Sequence, residues 1–173
     1  MKAVFLDRDG VINKTIFRMS KERAPYSLEE FAFIDGVLEA VSELKKAGFL
    51  IIVVTNQPDV ARGWVKMEQV VLVNNFVKEH LPVDEIKVCF HTEKDNCPCR
   101  KPMPGMLLEA GEKWKISFSE SFMVGDRESD VVAGQKAGCK SILVGEHSLE
   151  SLTIQPEHLC SNLREAVEWI KTH

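Results

Sequence analysis

The run Met1-Lys2-Ala3-Val4-Phe5-Leu6-Asp7-Arg8-Asp9-Gly10 decides how the rest of the chain is read. Ala3–Leu6 is apolar and stops abruptly at two carboxylates and a glycine, as a buried strand does when it delivers polar groups to the edge of a sheet. It is too short for the apolar region of a signal peptide. The same pattern recurs downstream. Phe49–Val54 is followed by Thr55-Asn56-Gln57, Ile86–Phe90 by a cysteine-rich loop and Arg100-Lys101-Pro102, and Phe122–Val124 by Gly125-Asp126-Arg127-Glu128-Ser129-Asp130. Near-continuous apolar runs of this length suit strands buried on both faces of a parallel sheet. Ser141–Val144 reads as a further strand.

Helical stretches separate these strands. Gly36–Ala47 places Val37, Leu38, Val41 and Leu44 on one face and ends at Gly48. Lys66–His80 is closed by Leu81-Pro82, Pro104–Lys115 carries Pro and Gly in its first turn, and Ser129–Ala137 ends at Gly138. Asn162–Lys171 is amphipathic, with Asn162 as N-cap. Repeated strand–helix–strand order predicts an α/β fold, a Rossmann-like three-layer sandwich with a mostly parallel sheet. No insertion is large enough to form a cap domain, so residues 1–173 are expected to form a single domain. Lys14–Phe33 and Thr92–Met103 are the long irregular stretches, and loops of that length are often functional.

Composition narrows the function classes. The chain has 173 residues, is 45% hydrophobic and carries a formal charge of −4, with a pI near 5.8. An acidic balance speaks against nucleic-acid binding, which leaves a basic stripe. No apolar run reaches the roughly 20 residues of a membrane span. The expectation is a cytoplasmic monomer acting on a small molecule, and a local cluster of Arg and Lys is compatible with a phosphorylated one.

In an open α/β sheet, ligands bind at the carboxyl ends of the strands, where the four polar clusters fall. Two aspartates on one sheet edge, Asp7 and Asp126, need a cation. Magnesium takes carboxylates, substrate phosphate and water. An Asp7 carboxylate so placed can attack phosphorus. Asp9 can protonate the leaving oxygen and later accept a proton from water. Thr55 can hydrogen-bond phosphoryl oxygens, and Lys101 supplies positive charge where phosphoryl transfer needs it. A single Asp-x-Asp is more often a turn or cap and a single Lys a solvated charge, but caps do not explain four clusters after four strands.

Five cysteines are an odd number, and Cys89, Cys97 and Cys99 lie within eleven residues. Clustering of this kind favours a metal over a disulfide framework. Cys89 and Cys99, with His91 and Cys97, form C-x-H…C-x-C, and residues i and i+2 of an extended segment share a side. Three thiolates and one imidazole match a closed structural zinc site at 89–101. Cys139 and Cys160 stand alone and read as small apolar residues.

The four clusters resemble the motifs of the haloacid dehalogenase superfamily of phosphatases over roughly residues 3–145. The resemblance implies Asp7 as nucleophile and magnesium ligand, Asp9 as acid/base and metal ligand through its backbone carbonyl, Asp126 as metal ligand, and Lys101 as counter-charge. Asp130 would orient Lys101 or a metal-bound water. Arg8, Thr55 and Asn56, from the same runs, are the expected substrate contacts. The second aspartate, Asp9, marks the phosphate-ester hydrolases; the dehalogenases lack it. The cysteine loop running into Arg100-Lys101-Pro102 is similar to the zinc-containing subgroup of heptose-bisphosphate and histidinol-phosphate phosphatases, although Phe90 stands where that subgroup usually has Pro.

Within the subgroup, Phe31–Val37 and Thr55-Asn56-Gln57-Pro58-Asp59-Val60-Ala61-Arg62-Gly63 look like the heptose enzymes. They imply removal of the C7 phosphate of D-glycero-D-manno-heptose 1,7-bisphosphate, with Arg62 and Arg100 on the second phosphate or the sugar hydroxyls. The five residues between His91 and Cys97 are closer to the histidinol-phosphate enzymes. Lys14–Ser27, with Arg18, Lys21, Arg23 and Pro25, is longer than in the heptose enzymes and is expected to lie over the site. Histidinol phosphate or another sugar phosphate therefore stays open as substrate. A receiver-like signalling domain would share the sheet and the phosphorylatable Asp, but Asp9 promotes turnover. An idle binding module would be expected to have lost one of Asp7, Asp9, Lys101 or Asp126. A phosphomutase would need a cap or second domain.

Overall fold

A computed structural model describes residues 1–147, 150 and 152–173. Its order is β1 (Ala3–Leu6), β2 (Ile16–Arg18), β3 (Lys21–Arg23), α1 (Val37–Lys46), β4 (Leu50–Asn56), α2 (Met67–His80), β5 (Glu85–Cys89), α3 (Gly105–Trp114), β6 (Phe122–Gly125), α4 (Glu128–Ala137), β7 (Lys140–Val144), β8 (His158–Cys160) and α5 (Leu163–Ile170). Six strands form one sheet in the order β5-β4-β1-β6-β7-β8, every neighbouring pair parallel.

Alternation along the strands divides the core. Val4 and Leu6 of β1 join Ile51 and Val53 of β4 on the face covered by α1, α5 and the end of α2. Ala3, Phe5, Leu50, Ile52 and Val54 point to the other face, under α3 and α4. This is the expected three-layer arrangement, and the expected helices fall within two residues of those found. Asn162 caps α5 as read, its side chain accepting from the Glu165 N–H at 3.1 Å. Among the described residues, no helix is long and apolar enough to cross a membrane.

Two elements differ from the sequence reading. The stretch 14–33 is not wholly irregular, because β2 and β3 pair there as an antiparallel hairpin. Ile-Phe-Arg and Lys-Glu-Arg carry no apolar face, so no period-2 signal marks them. β8 is likewise absent from the sequence reading; its three half-buried residues pair with β7.

The chain leaves β1 for β4 and β5, then returns to β6 on the other side of β1. That reversal opens a crevice at the carboxyl ends of β1, β4 and β6. The Asp7 N–H donates to Val124 O at 2.9 Å, extending the β1–β6 register by one residue. On the other side Asn56 pairs with Cys89 across β4 and β5, so the cysteine loop begins level with Thr55-Asn56.

Candidate active site

A cleft of about 570 Å³ lies over these strand ends, with Asp7, Asp9, Lys101 and Asp130 in its wall. Lys101 Nζ lies 2.9 Å from Asp7 Oδ1 and 2.6 Å from Asp130 Oδ1, all three side chains being buried. The other Asp130 oxygen accepts the Arg127 N–H at 3.1 Å, at the start of α4. Both Asp130 oxygens are thus engaged, and Asp130 braces Lys101. Burial alone would lower the pKa of Lys101, but Asp130 and Asp7 outweigh it and raise it, so the ammonium is held charged.

Asp7, Asp126 and Asp130 bring carboxylate oxygens within 4.8 Å of one another. Burial pushes Asp7 up to about 8; Lys101 pulls it down, while Asp130, Asp126 and Asp9 add to the rise. Burial, followed by the Asp130 charge, pushes Asp126 up to about 6. Asp126 Oδ1 is buried with no hydrogen-bond partner among the described residues. Facing hard oxygen donors, one of them unpartnered, fit a divalent cation such as magnesium. Gly10 makes room for this arrangement: it sits at φ +90°, and a Cβ there would fall 2.2 Å from Asp126 Oδ2.

Asp9 is held from three sides. Arg8 Nε and Nη2 donate to its carboxylate at 3.1–3.2 Å, Asn13 Nδ2 at 2.9 Å and Gln57 Nε2 at 2.7 Å. The Arg8 side chain is not part of the cleft wall. It was expected to touch substrate, yet it is fully buried, its guanidinium spent on Asp9 and on Asn74 Oδ1 at 2.8 Å. Asn56 also differs in role. It lines the cleft, but its amide accepts from the Lys101 N–H at 3.1 Å and donates to Lys101 O at 3.0 Å, so it clamps the lysine backbone. Thr55 is buried at the end of β4, its hydroxyl accepting from Gln57 at 2.9 Å. Gln57, Asn13 and Asn74 are contacts that the sequence reading does not single out. Gln57 adjoins Thr55-Asn56, which was a usable signal, whereas Asn74 lies sixty-six residues from Arg8 and left none.

Arg62 and Arg100 both line the cleft. Each donates to Glu93, on the 3₁₀ turn Glu93–Asp95 between His91 and Cys97.

The expected metal loop closes on itself. Cys89 Sγ lies 3.1 Å from Cys99 Sγ and 3.7 Å from Cys97 Sγ, and Cys97 lies 3.4 Å from Cys99. His91 Nδ1 is 3.5 Å from Cys89 Sγ and 3.2 Å from Cys99 Sγ. Zn–S bonds of about 2.3 Å at tetrahedral angles put sulfurs about 3.8 Å apart, so the four ligands could hold such an ion after a small expansion. All five cysteines are free. Burial, with hydrogen bonding to Cys99, raises the Cys89 thiol. At Cys97 burial works the same way but is outweighed, chiefly by the Arg100 N–H, and the pKa falls to about 7. The loop lies against the start of α3, where a Cβ on Gly105 would meet Pro98 O at 2.3 Å.

Residues 98–166 match the profile of the HAD-hydrolase-like family. The D-glycero-beta-D-manno-heptose-1,7-bisphosphate 7-phosphatase of Helicobacter pylori strain J99 is 34% identical, the alignment covering 98% of this chain and 97% of that one. The D-glycero-alpha-D-manno-heptose-1,7-bisphosphate 7-phosphatase of Campylobacter jejuni is also 34% identical, over 98% and 96%. Among solved structures, the D,D-heptose 1,7-bisphosphate phosphatase of B. bronchiseptica, complexed with magnesium and phosphate, superposes with a TM-score of 0.87 at 28% identity, covering 99% of each chain.

Proposed function

The chain belongs to the heptose-bisphosphate phosphatase family of haloacid dehalogenase-like hydrolases, and from its cleft we propose that it removes the C7 phosphate of D-glycero-D-manno-heptose 1,7-bisphosphate by way of an aspartyl-phosphate. One observation carries the reaction class: Asp7 stands in the cleft between Lys101 and Asp126, with Asp9 two residues on.

Asp7 attacks phosphorus, forming a carboxyl O–P bond as the P–O bond to the sugar breaks. The sugar oxygen leaves with a proton from Asp9. Water then attacks the phosphorus of the acyl phosphate, Asp9 takes its proton, and Asp7 is released as a carboxylate with inorganic phosphate. For its proton steps Asp9 must exchange one partner for the leaving oxygen. Gln57 is suited to yield, since it lines the cleft while Arg8 and Asn13 do not. Lys101, fixed by Asp130 and by Asn56 on its backbone, offsets charge on the phosphoryl oxygens, and Thr55 donates to them. Asp7, Asp126 and the Asp9 carbonyl would hold magnesium, which supplies the charge that lets carboxylates and a phosphoryl group share the site.

Cys89, His91, Cys97 and Cys99 would hold zinc, whose part would be structural: the closed loop keeps Arg100 and Lys101 at the cleft. Arg62 and Arg100 face the distal phosphate or the sugar hydroxyls. Residues 1–173 work as one phosphatase domain, in the cytoplasm, where a doubly phosphorylated sugar is retained.

The test is phosphate release from the heptose bisphosphate, histidinol phosphate and other sugar phosphates with magnesium, using Asp7→Asn as control. Preferential release from the bisphosphate, abolished in Asp7→Asn, is expected. No release from any substrate, or full activity in the variant, refutes the reaction; preference for histidinol phosphate refutes the sugar.

A further inference from the structure

The rim of the cleft is a chain of alternating charges that joins three segments. On β3, Arg23 Nη1 donates to both oxygens of Asp59 at 3.3 Å. Arg62 Nη1 donates to Asp59 Oδ1 at 2.8 Å, and Arg62 Nη2 to Glu93 at 3.0–3.1 Å. Arg100 Nη2 completes the series on Glu93 at 2.6 Å. All five residues line the cleft.

Asp59 is the hub. It is buried, and its Oδ2 also accepts the Tyr26 hydroxyl at 2.7 Å. One carboxylate shared by two guanidinium groups leaves net positive charge on that side of the cleft and fixes both groups in orientation. Arg23 is pinned further. Its Nε donates to Arg18 O at 3.3 Å, and its guanidinium carbon lies 4.6 Å from the centroid of the Trp64 ring. Its Nη2 makes no hydrogen bond among the described residues. A guanidinium held by a stack and two spent nitrogens, with the third free, is a preorganised donor for an anion.

We propose that Arg23 is a specificity-determining residue that binds the distal phosphoryl group of a bisphosphorylated substrate, and that Asp59 is the positioning residue that holds it there. This rests on the reaction proposed above, since a substrate with one phosphate leaves Arg23 nothing to bind. The β2–β3 hairpin is then a wall of the substrate site.

The experiment compares kcat/KM on the heptose 1,7-bisphosphate with that on the heptose 7-phosphate. In Arg23→Ala the ratio should fall about tenfold or more, the size of a lost charge-assisted hydrogen bond. Arg23→Lys, which keeps the charge but not the fork, should recover part of it. Asp59→Asn should lower the ratio through KM on the bisphosphate rather than through kcat. Tyr26→Phe loosens the hairpin while keeping Arg23 on Asp59, and should move the ratio less than Arg23→Ala does. Equal losses on both substrates in Arg23→Ala, a wild-type ratio near one, or an equal fall in Tyr26→Phe would overturn the proposal and leave the reaction standing. No hydrolysis of either substrate by the wild type would overturn both.

Discussion

Replacing Asp7, the proposed nucleophile, should make the magnesium-free protein more stable. Asp7→Asn keeps an oxygen for the Arg8 N–H, now 2.7 Å from Oδ1, and for Lys101, but removes the titratable group from a buried site shared with Asp126 and Asp130. The folded protein holds the Asp7 proton up to about pH 8, whereas the unfolded chain releases it near 3.8. Between those values the folded state binds the extra proton, so stability is fully present below the lower value and is lost as pH rises through the upper one. At pH 7.5 the full effect would be on the order of 5 kcal/mol if Asp7 bore it alone. Because the carboxylates titrate together, about 2–5 kcal/mol is expected, or about 5–15 °C in Tm for a chain of this size. At pH 5 the gain should shrink to about a third.

The assay is thermal unfolding of both proteins after magnesium is removed by dialysis without chelator, which spares any metal held by the cysteine loop. Added magnesium should then raise the wild-type Tm and leave the variant nearly unmoved, because ligand binding stabilises only a state with the site. A variant no more stable than wild type at pH 7.5, or equally stabilised at pH 5, refutes the argument that burial of the Asp7 carboxyl, with its acidic neighbours, destabilises the magnesium-free site.

Two further substitutions test the geometry. Gly10→Ala puts a side chain at φ +90° and a Cβ 2.2 Å from Asp126 Oδ2; it should cost about 1–3 kcal/mol in unfolding experiments. It should also raise the magnesium concentration for half-maximal activity at least tenfold, and an unchanged requirement would show that Asp126 does not hold the ion. Cys89→Ser should strip zinc from the loop by elemental analysis and lower kcat/KM at least tenfold by releasing Arg100 and Lys101. Full activity without bound zinc would end the claim that the loop positions them.

How far the chain can be read without its coordinates follows from where each interaction is local. β1, β4 and β6 were legible because strands covered on both faces must be apolar throughout, and the residues just beyond them must face the crevice. Asp7, Lys101, Asp126 and Asp130 were placed by that rule. The gathering of Cys89, His91, Cys97 and Cys99 was legible because all four lie within eleven residues and are residue types that metal chemistry favours. The β2–β3 hairpin was not, since its residues bury no face and its clasp, Asp59, lies thirty-six residues from Arg23.

Side-chain direction marks the same boundary. In sequence Arg8 is a cation between Asp7 and Asp9 and reads as a substrate contact. In the fold it turns inward, because Asn74 on α2 and the Asp9 carboxylate satisfy a guanidinium that would otherwise be buried unpaired. Asn56 likewise spends its amide on Lys101, forty-five residues on. Composition and spacing determine which chemistry this chain carries to the sheet edge, because strand periodicity and metal preference act locally. Which polar groups are left free to meet a substrate was decided only by tertiary packing, which sets the partners that buried charges find across the chain.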